Sequence, residues 1–197
     1  EHFVLISEAL NSHSLWNEED KFYYDSLRIG YDAPMPLRIQ SIVGLTSLFA
    51  VSIMDREVFE RLPDFKKRVD WFESYREKNG LFWPNEEHGD GEEILISLVK
   101  KDRLIHLLHR MLNEDEFLST GGIRALSKYH AANPYSVTID DTKYEIPYDP
   151  GDSTSNLFGG NSNRRGPVWI PITYLIIRSV KQSGEFYGDH LKVECPV

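Results

Sequence analysis

Apolar positions recur at helical spacing along much of the chain. Phe3, Ile6 and Leu10 predict a helix over residues 2–10. The longest apolar run, "SIVGLTSLFAVSIM" from Ser41 to Met54, predicts a buried helix from about Ile42 to Phe59. Pro63 stops that helix. "DFKKRVDWFESYREK" follows, with Asp64 as its N-cap and Phe65, Val69 and Phe72 on one face. Leu104, Leu107, Leu108 and Met111 form the stripe of a further helix that Asp102 can cap. A last helix runs from about Pro171 to Gly184.

Between these helices the pattern changes. "SLWNEEDKFYYDSLRIG" mixes aromatic and acidic residues and reads as a loop with an aromatic floor, and the two prolines between Asp32 and Pro36 break regularity. Glu86–Gly91 reads as a polar, poorly packed turn. "ILISLV" is apolar but too short to assign to helix or strand, and "GGIRALSKYH" reads as a loop. "YSVTIDDTKYEIPY" alternates around Asp140-Asp141, which predicts a β-hairpin. The expectation is a mainly α protein with long loops and one small hairpin. Long loops in a compact domain are usually functional or disordered, and these carry aromatics and charges together.

Composition narrows the function. With 41% hydrophobic and 27% charged residues, the 197-residue chain can bury a core. A net charge of -9 and the lack of a basic face argue against nucleic acid and against an anionic membrane surface as partners. The apolar run at Ser41–Met54 is too short to span a bilayer. Cys195 is the single cysteine, so no internal disulfide and no paired-cysteine zinc site is expected; this reads as a reducing compartment or simply as no need for disulfides, and a cytoplasmic location is the expectation. The chain begins at Glu1 inside an apparent helix and reads as an internal piece of a longer protein.

The candidate chemistry is that of a sugar pocket. There is no phosphate-binding loop, dinucleotide fingerprint or serine-hydrolase elbow. His106 and His109 lie three apart on the Leu-rich helix, but nothing in the sequence suggests a third ligand, and neither metal nor cofactor is expected. Asp25 follows Phe22-Tyr23-Tyr24 and lies close to Trp16. Sugars stack their apolar C–H faces on aromatic rings and need fixed hydrogen-bonding partners for their hydroxyls. The plainer alternative is that Asp25 caps a loop or pairs with an arginine. In "GGNSNRRGPVW", Gly159–Trp169, Asn163 can donate and accept, Arg165 can grip a carboxylate or vicinal hydroxyls, and Trp169 offers a stacking face. Gly166 allows close approach of backbone to a ligand, and Pro167 suits the first turn of the helix. Alternatively, the arginine ties down neighbouring carbonyls or Asp152.

Four blocks carry a family resemblance: "LWNEEDKFYYDSL", "EFLSTGGIRALSKYH", "GGNSNRRGPVWIPITYLII" and "FYGDHLKVECPV". In this order they resemble segments of proteins related to glycoside hydrolase family 63, the glucosidase and mannosylglycerate-hydrolase-like enzymes. The resemblance implies an (α/α)6 toroid, of which residues 1–197 form the central portion of one catalytic domain truncated at both ends. It also implies inverting hydrolysis of an α-glycosidic bond, with an acid and a base carboxyl roughly 6.5–9.5 Å apart. The family's acid and base segments are both missing, so no catalytic residue is assigned and the isolated piece is expected to be inactive. The substrate-lining candidates are Arg165, Asn163, Trp169, Trp16, Tyr24 and Asp25, with Arg124 and Lys128 from the second block. Two positions depart from the pattern. Arg164 replaces a tryptophan, which suits an anionic substrate group, and Lys21 replaces a glycine. The expected partner is a small carbohydrate. The rival is a non-catalytic carbohydrate-binding or scaffold protein on the same fold, and a helical protein-interaction module would instead expose apolar patches.

Overall fold

The computed structural model describes residues 1–11, 15–81, 93–151 and 166–196. Helix α1 (His2–Asn11) leads into a run of short strands: β1 (Trp16–Asn17), β2 (Phe22–Tyr23), β3 (Asp25–Leu27) and β4 (Met35–Leu37). A 3-10 helix (Ile42–Phe49) continues into β5 (Val51–Asp55), α2 (Arg56–Glu60) and α3 (Pro63–Lys78). Then come β6 (Glu93–Ser97), α4 (Lys101–Met111), β7 (Leu118–Ser119), β8 (Gly122–Ile123) and a 3-10 turn (Lys128–Ala131). The chain closes with β9 (Tyr135–Ile139), β10 (Thr142–Ile146) and α5 (Ile170–Tyr187), followed by a 3-10 turn (Gly188–His190).

The strands pair antiparallel and two by two: β1–β2, β3–β4, β5–β6, β7–β8 and β9–β10. Helices take 45% and strands 23% of the described residues. The fold is therefore mixed α and β, which corrects the expectation of a mainly α (α/α)6 toroid. The segment expected as one helix, Ile42–Phe59, shows why. Its buried apolar residues Ile42, Leu45 and Leu48 recur every third position, the period at which side chains eclipse in a 3-10 helix. Gly44 lets this helix lie against the β1–β2 hairpin. A Cβ there would sit 2.6 Å from the Tyr23 carbonyl oxygen and inside the Phe22 ring. Past Ala50 the chain extends, and Val51–Asp55 pairs with Glu93–Ser97, the segment left unassigned between helix and strand. Long-range pairing thus overrides local periodicity in both segments.

Other helix boundaries shift by a residue or two. Leu62, not Asp64, is the N-cap of α3, with Pro63 opening the helix rather than ending the previous one. Lys100 is the N-cap of α4, with Asp102 in its first turn. Trp169 is the N-cap of α5, with Pro171, not Pro167, in the first turn. The β9–β10 hairpin forms where the alternation predicts it. Asp140 and Asp141 both have positive φ, as the two central residues of a type I′ turn require. The expected turn at Glu86–Gly91 lies outside the described residues.

The main core joins the hairpin to α4, the first 3-10 helix and α5. Phe22, Leu45, Leu107 and Phe117 are fully buried, and Ile176 and Tyr187 nearly so. Each such side chain contributes about 1.5–3 kcal/mol by leaving water. A smaller cluster of Leu37, Ile39, Leu126 and Ile146 seats the β9–β10 hairpin.

Candidate functional site

The β1–β2 hairpin is held by its own turn. Asn17 Oδ1 accepts from the backbone N–H of Glu19 at 3.0 Å and of Asp20 at 2.8 Å, and Lys21 takes φ +50° to close the loop. This sets Trp16 across from Tyr23, edge to face at 4.8 Å, and Phe22 stacked on Phe117 at 5.7 Å. Trp16 is only 4% exposed. The guanidinium of Arg103, from α4, lies 4.6 Å above its ring and donates to Asn11 Oδ1 at 2.9 Å. Trp16 is therefore held between an aromatic ring and a cation, with little of its surface left open.

Tyr24 is also buried, and its hydroxyl donates to Asp20 Oδ2 at 2.8 Å. Burial, reinforced by the Asp20 carboxylate, pushes this phenol well above the ordinary tyrosine range, so it stays a donor. Arg38 Nε donates to the same Asp20 oxygen at 3.0 Å, and Arg110 Nε donates to the Asp20 backbone carbonyl at 2.9 Å. Arg110 Nη1 in turn holds Glu116 at 2.6 Å. Burial pushes the Glu116 carboxyl up and Arg110 opposes that shift. Arg38 thus ties the acidic turn to the end of β4 by ion pairs with Glu19 and Asp20, and Arg110 ties it to α4 through the Asp20 carbonyl.

Asp25 lines a cavity of 150 Å³ with Tyr23, Tyr24, Ser41, Gly44 and Ser47. Ser47 Oγ is buried there with no hydrogen-bond partner among the described residues. A buried hydroxyl on a cavity wall is a position that a polar ligand can satisfy. Tyr24 also lines a second cavity of 280 Å³, with Leu15, Trp16, Asn17, Ser26 and two prolines.

The segment from Ile123 to Ser127 is the seam of the molecule. On one edge Ala125 O accepts from Ile42 N at 2.8 Å, and Ser127 N donates to Gln40 O at 2.8 Å. On the other edge Ala125 N donates to Pro167 O at 2.9 Å, and Arg124 bridges Val168. Arg124 is committed to backbone. Its Nη1 donates to the carbonyls of Glu114 at 3.0 Å, of Glu116 at 3.3 Å, and of Leu118. Lys128 opens the following 3-10 turn, exposed, 3.7 Å from Asp115. His130 is locked. Its Nε2 accepts from Gln40 N at 3.0 Å, so Nδ1 carries the proton and donates to Asn133 O at 2.8 Å. Burial holds its pKa below the ordinary histidine range.

Gly166 is buried with φ +120°, and a Cβ there would come within 2.5 Å of the Tyr148 ring. Its close approach is to that ring rather than to a ligand. Trp169 follows at the mouth of α5, 36% exposed. Arg165, Asn163 and Arg164 lie outside the described residues. The structure thus brings Tyr24 and Asp25 to one cavity and holds Trp169 nearby through the seam. It encloses Trp16, spends Arg124 on carbonyls and leaves Lys128 at the surface. His106 and His109 are exposed, and among the described residues no group of three or more His, Cys, Asp or Glu is arranged to hold a metal.

Reading the sequence missed Asp20, Arg103, Arg110, Glu116 and His130. Asp20 stands four residues before Tyr24 across a tight turn, a spacing that could have flagged it. The arginines reach the hairpin from α4 and leave no local signal.

No family model matches the chain, and no solved structure matches it. The chain is 42% identical over 217 aligned residues to the uncharacterized protein YMR196W of Saccharomyces cerevisiae. That alignment takes in 100% of the chain and 20% of the yeast protein, so the chain spans about one fifth of the length of that relative. Among the described residues no helix is long and apolar enough to cross a membrane.

Proposed function

We propose that residues 1–197 supply substrate-contacting wall to an inverting α-glycosidase of the glucosidase or mannosylglycerate-hydrolase type. The general acid and base come from outside these residues, and the enzyme works in a reducing, cytoplasmic compartment on a small carbohydrate. The observation that carries this reading is the hydrogen-bonded seam. It joins two of the four blocks that resemble the family, the second and the third, and its far edge carries Ser41, on the wall of the cavity lined by Tyr23, Tyr24 and Asp25 of the first block, two ladder steps from Pro167. At about 4.8 Å per step, the cavity wall and the Trp169 segment lie about 10 Å apart, within the span of a disaccharide. On the cavity that Asp25 lines, the Ser47 hydroxyl, without a partner among the described residues, offers a polar group, and the half-open Trp169 ring offers a stacking face.

The test is a screen of the protein expressed from its complete reading frame against α-linked glucosyl and mannosyl disaccharides and glycerates. Turnover of at least one is expected. Trp169→Ala and Arg165→Ala are each expected to lower kcat/KM by about tenfold or more, as loss of a stacking or charge-assisted contact does. Saturable sugar binding without turnover would favour the non-catalytic carbohydrate-binding alternative.

A further inference from the structure

Helix α5 has two unlike faces. Ile176, Ser179, Ser183 and Tyr187 are buried against the core, and the two serine hydroxyls turn back onto the carbonyls of Leu175 and Ser179. The outward face changes character along the helix. Its second half carries charge, with Lys181 3.7 Å from Glu185. Its first half carries an apolar row, Ile170 68% exposed, Tyr174 64% and Ile177 62%, with the exposed Arg178 at its flank. Isolated surface apolar residues are ordinary. A row spaced i, i+4, i+7 on one face of a helix is the ridge that a neighbouring helix receives in its groove.

We propose that this row is an interface, covered by an amphipathic helix of the same polypeptide from outside residues 1–197. Two observations choose that occupant. The chain aligns end to end with one fifth of the yeast relative, so a chain of that kind has four fifths of its length available to cover this face. The apolar row also stops where the Lys181–Glu185 pair begins, which gives a seam about two turns long, as a helix crossing at an angle leaves. Neither observation depends on the glycosidase reading.

The test places the photo-cross-linking residue p-benzoylphenylalanine at position 174 in the protein expressed from its complete reading frame. Position 177 serves as a second site should the first variant fail to fold. After irradiation, the cross-linked peptides are mapped by mass spectrometry. A cross-link from both positions to one peptide outside residues 1–197, on a species of monomer mass, is expected. A cross-link within residues 1–197, a covalent dimer assigning the face to a second copy, or no cross-link at either position would each overturn the proposal.

Discussion

At the scale of single residues, several side chains are set by backbone geometry rather than by any ligand. Lys21 sits in the left-handed region at φ +50°, a conformation that costs a residue with a Cβ about 1–2 kcal/mol. Its ion pair with Glu18 at 2.8 Å is exposed and returns little. Lys21→Gly is expected to stabilise the protein by about 0.5–1 kcal/mol in urea denaturation, after the entropy cost of glycine is subtracted. The departure from glycine at this position was visible in the sequence, but its consequence needed the turn. His130 makes a pH prediction. Its folded pKa is depressed by burial, so the folded state excludes a proton that the unfolded chain takes up below about pH 6.5. The stability it contributes is complete above that pH and is lost as pH falls toward the folded value. His130→Gln is expected to flatten the dependence of the denaturation midpoint on pH below about 6.5. An unchanged slope would contradict the locked neutral ring.

At the scale of elements, the seam is the feature to test. Arg124 holds three carbonyls in the turn that leads into β7, and removing it takes a charged donor from each of them. Arg124→Ala is expected to cost about 2–3 kcal/mol, or roughly 5–10 °C in Tm, with Arg124→Lys restoring only part of it. Sugar affinity per folded molecule should not change, which separates this structural role from the substrate contact expected from the sequence. Gly166→Ala should destabilise by a comparable amount, because it combines positive φ with a clash on the Tyr148 ring. The elements differed in how legible they were. The β9–β10 hairpin announced itself through alternation and its Asp-Asp turn, and the Leu stripe of α4 through its period. The apolar run at Ser41–Met54 misled because a run with no polar face has no phase. Its three-residue period and its pairing with Ile94–Ser97 emerge only when the distant strand is in place.

At the scale of the whole molecule, the correction of the fold class follows from the same physics. Helices α1, α3, α4 and α5 and the β9–β10 hairpin were readable, but the other four strand pairs were not, because the two- and three-residue strands of β1–β2, β3–β4 and β7–β8 are stabilised by cross-strand packing rather than by local propensity, and β5 and β6 find each other only over a long separation. Of the residues chosen for aromatic and polar chemistry, the described ones lie on the hairpin, along the seam and at the mouth of α5, and Trp16 and Arg124 are consumed in holding those elements together. What sequence chemistry cannot supply is which polar groups are already satisfied. The measurement that bears most directly on the account follows the hydrolysis of an α-linked glucosyl or mannosyl substrate by NMR, using the protein expressed from its complete reading frame. An inverting glycosidase releases the β-anomer first, with the α-anomer growing in only by mutarotation. Initial release of the α-anomer, or the absence of hydrolysis across glucosyl and mannosyl disaccharides and glycerates, would contradict the account.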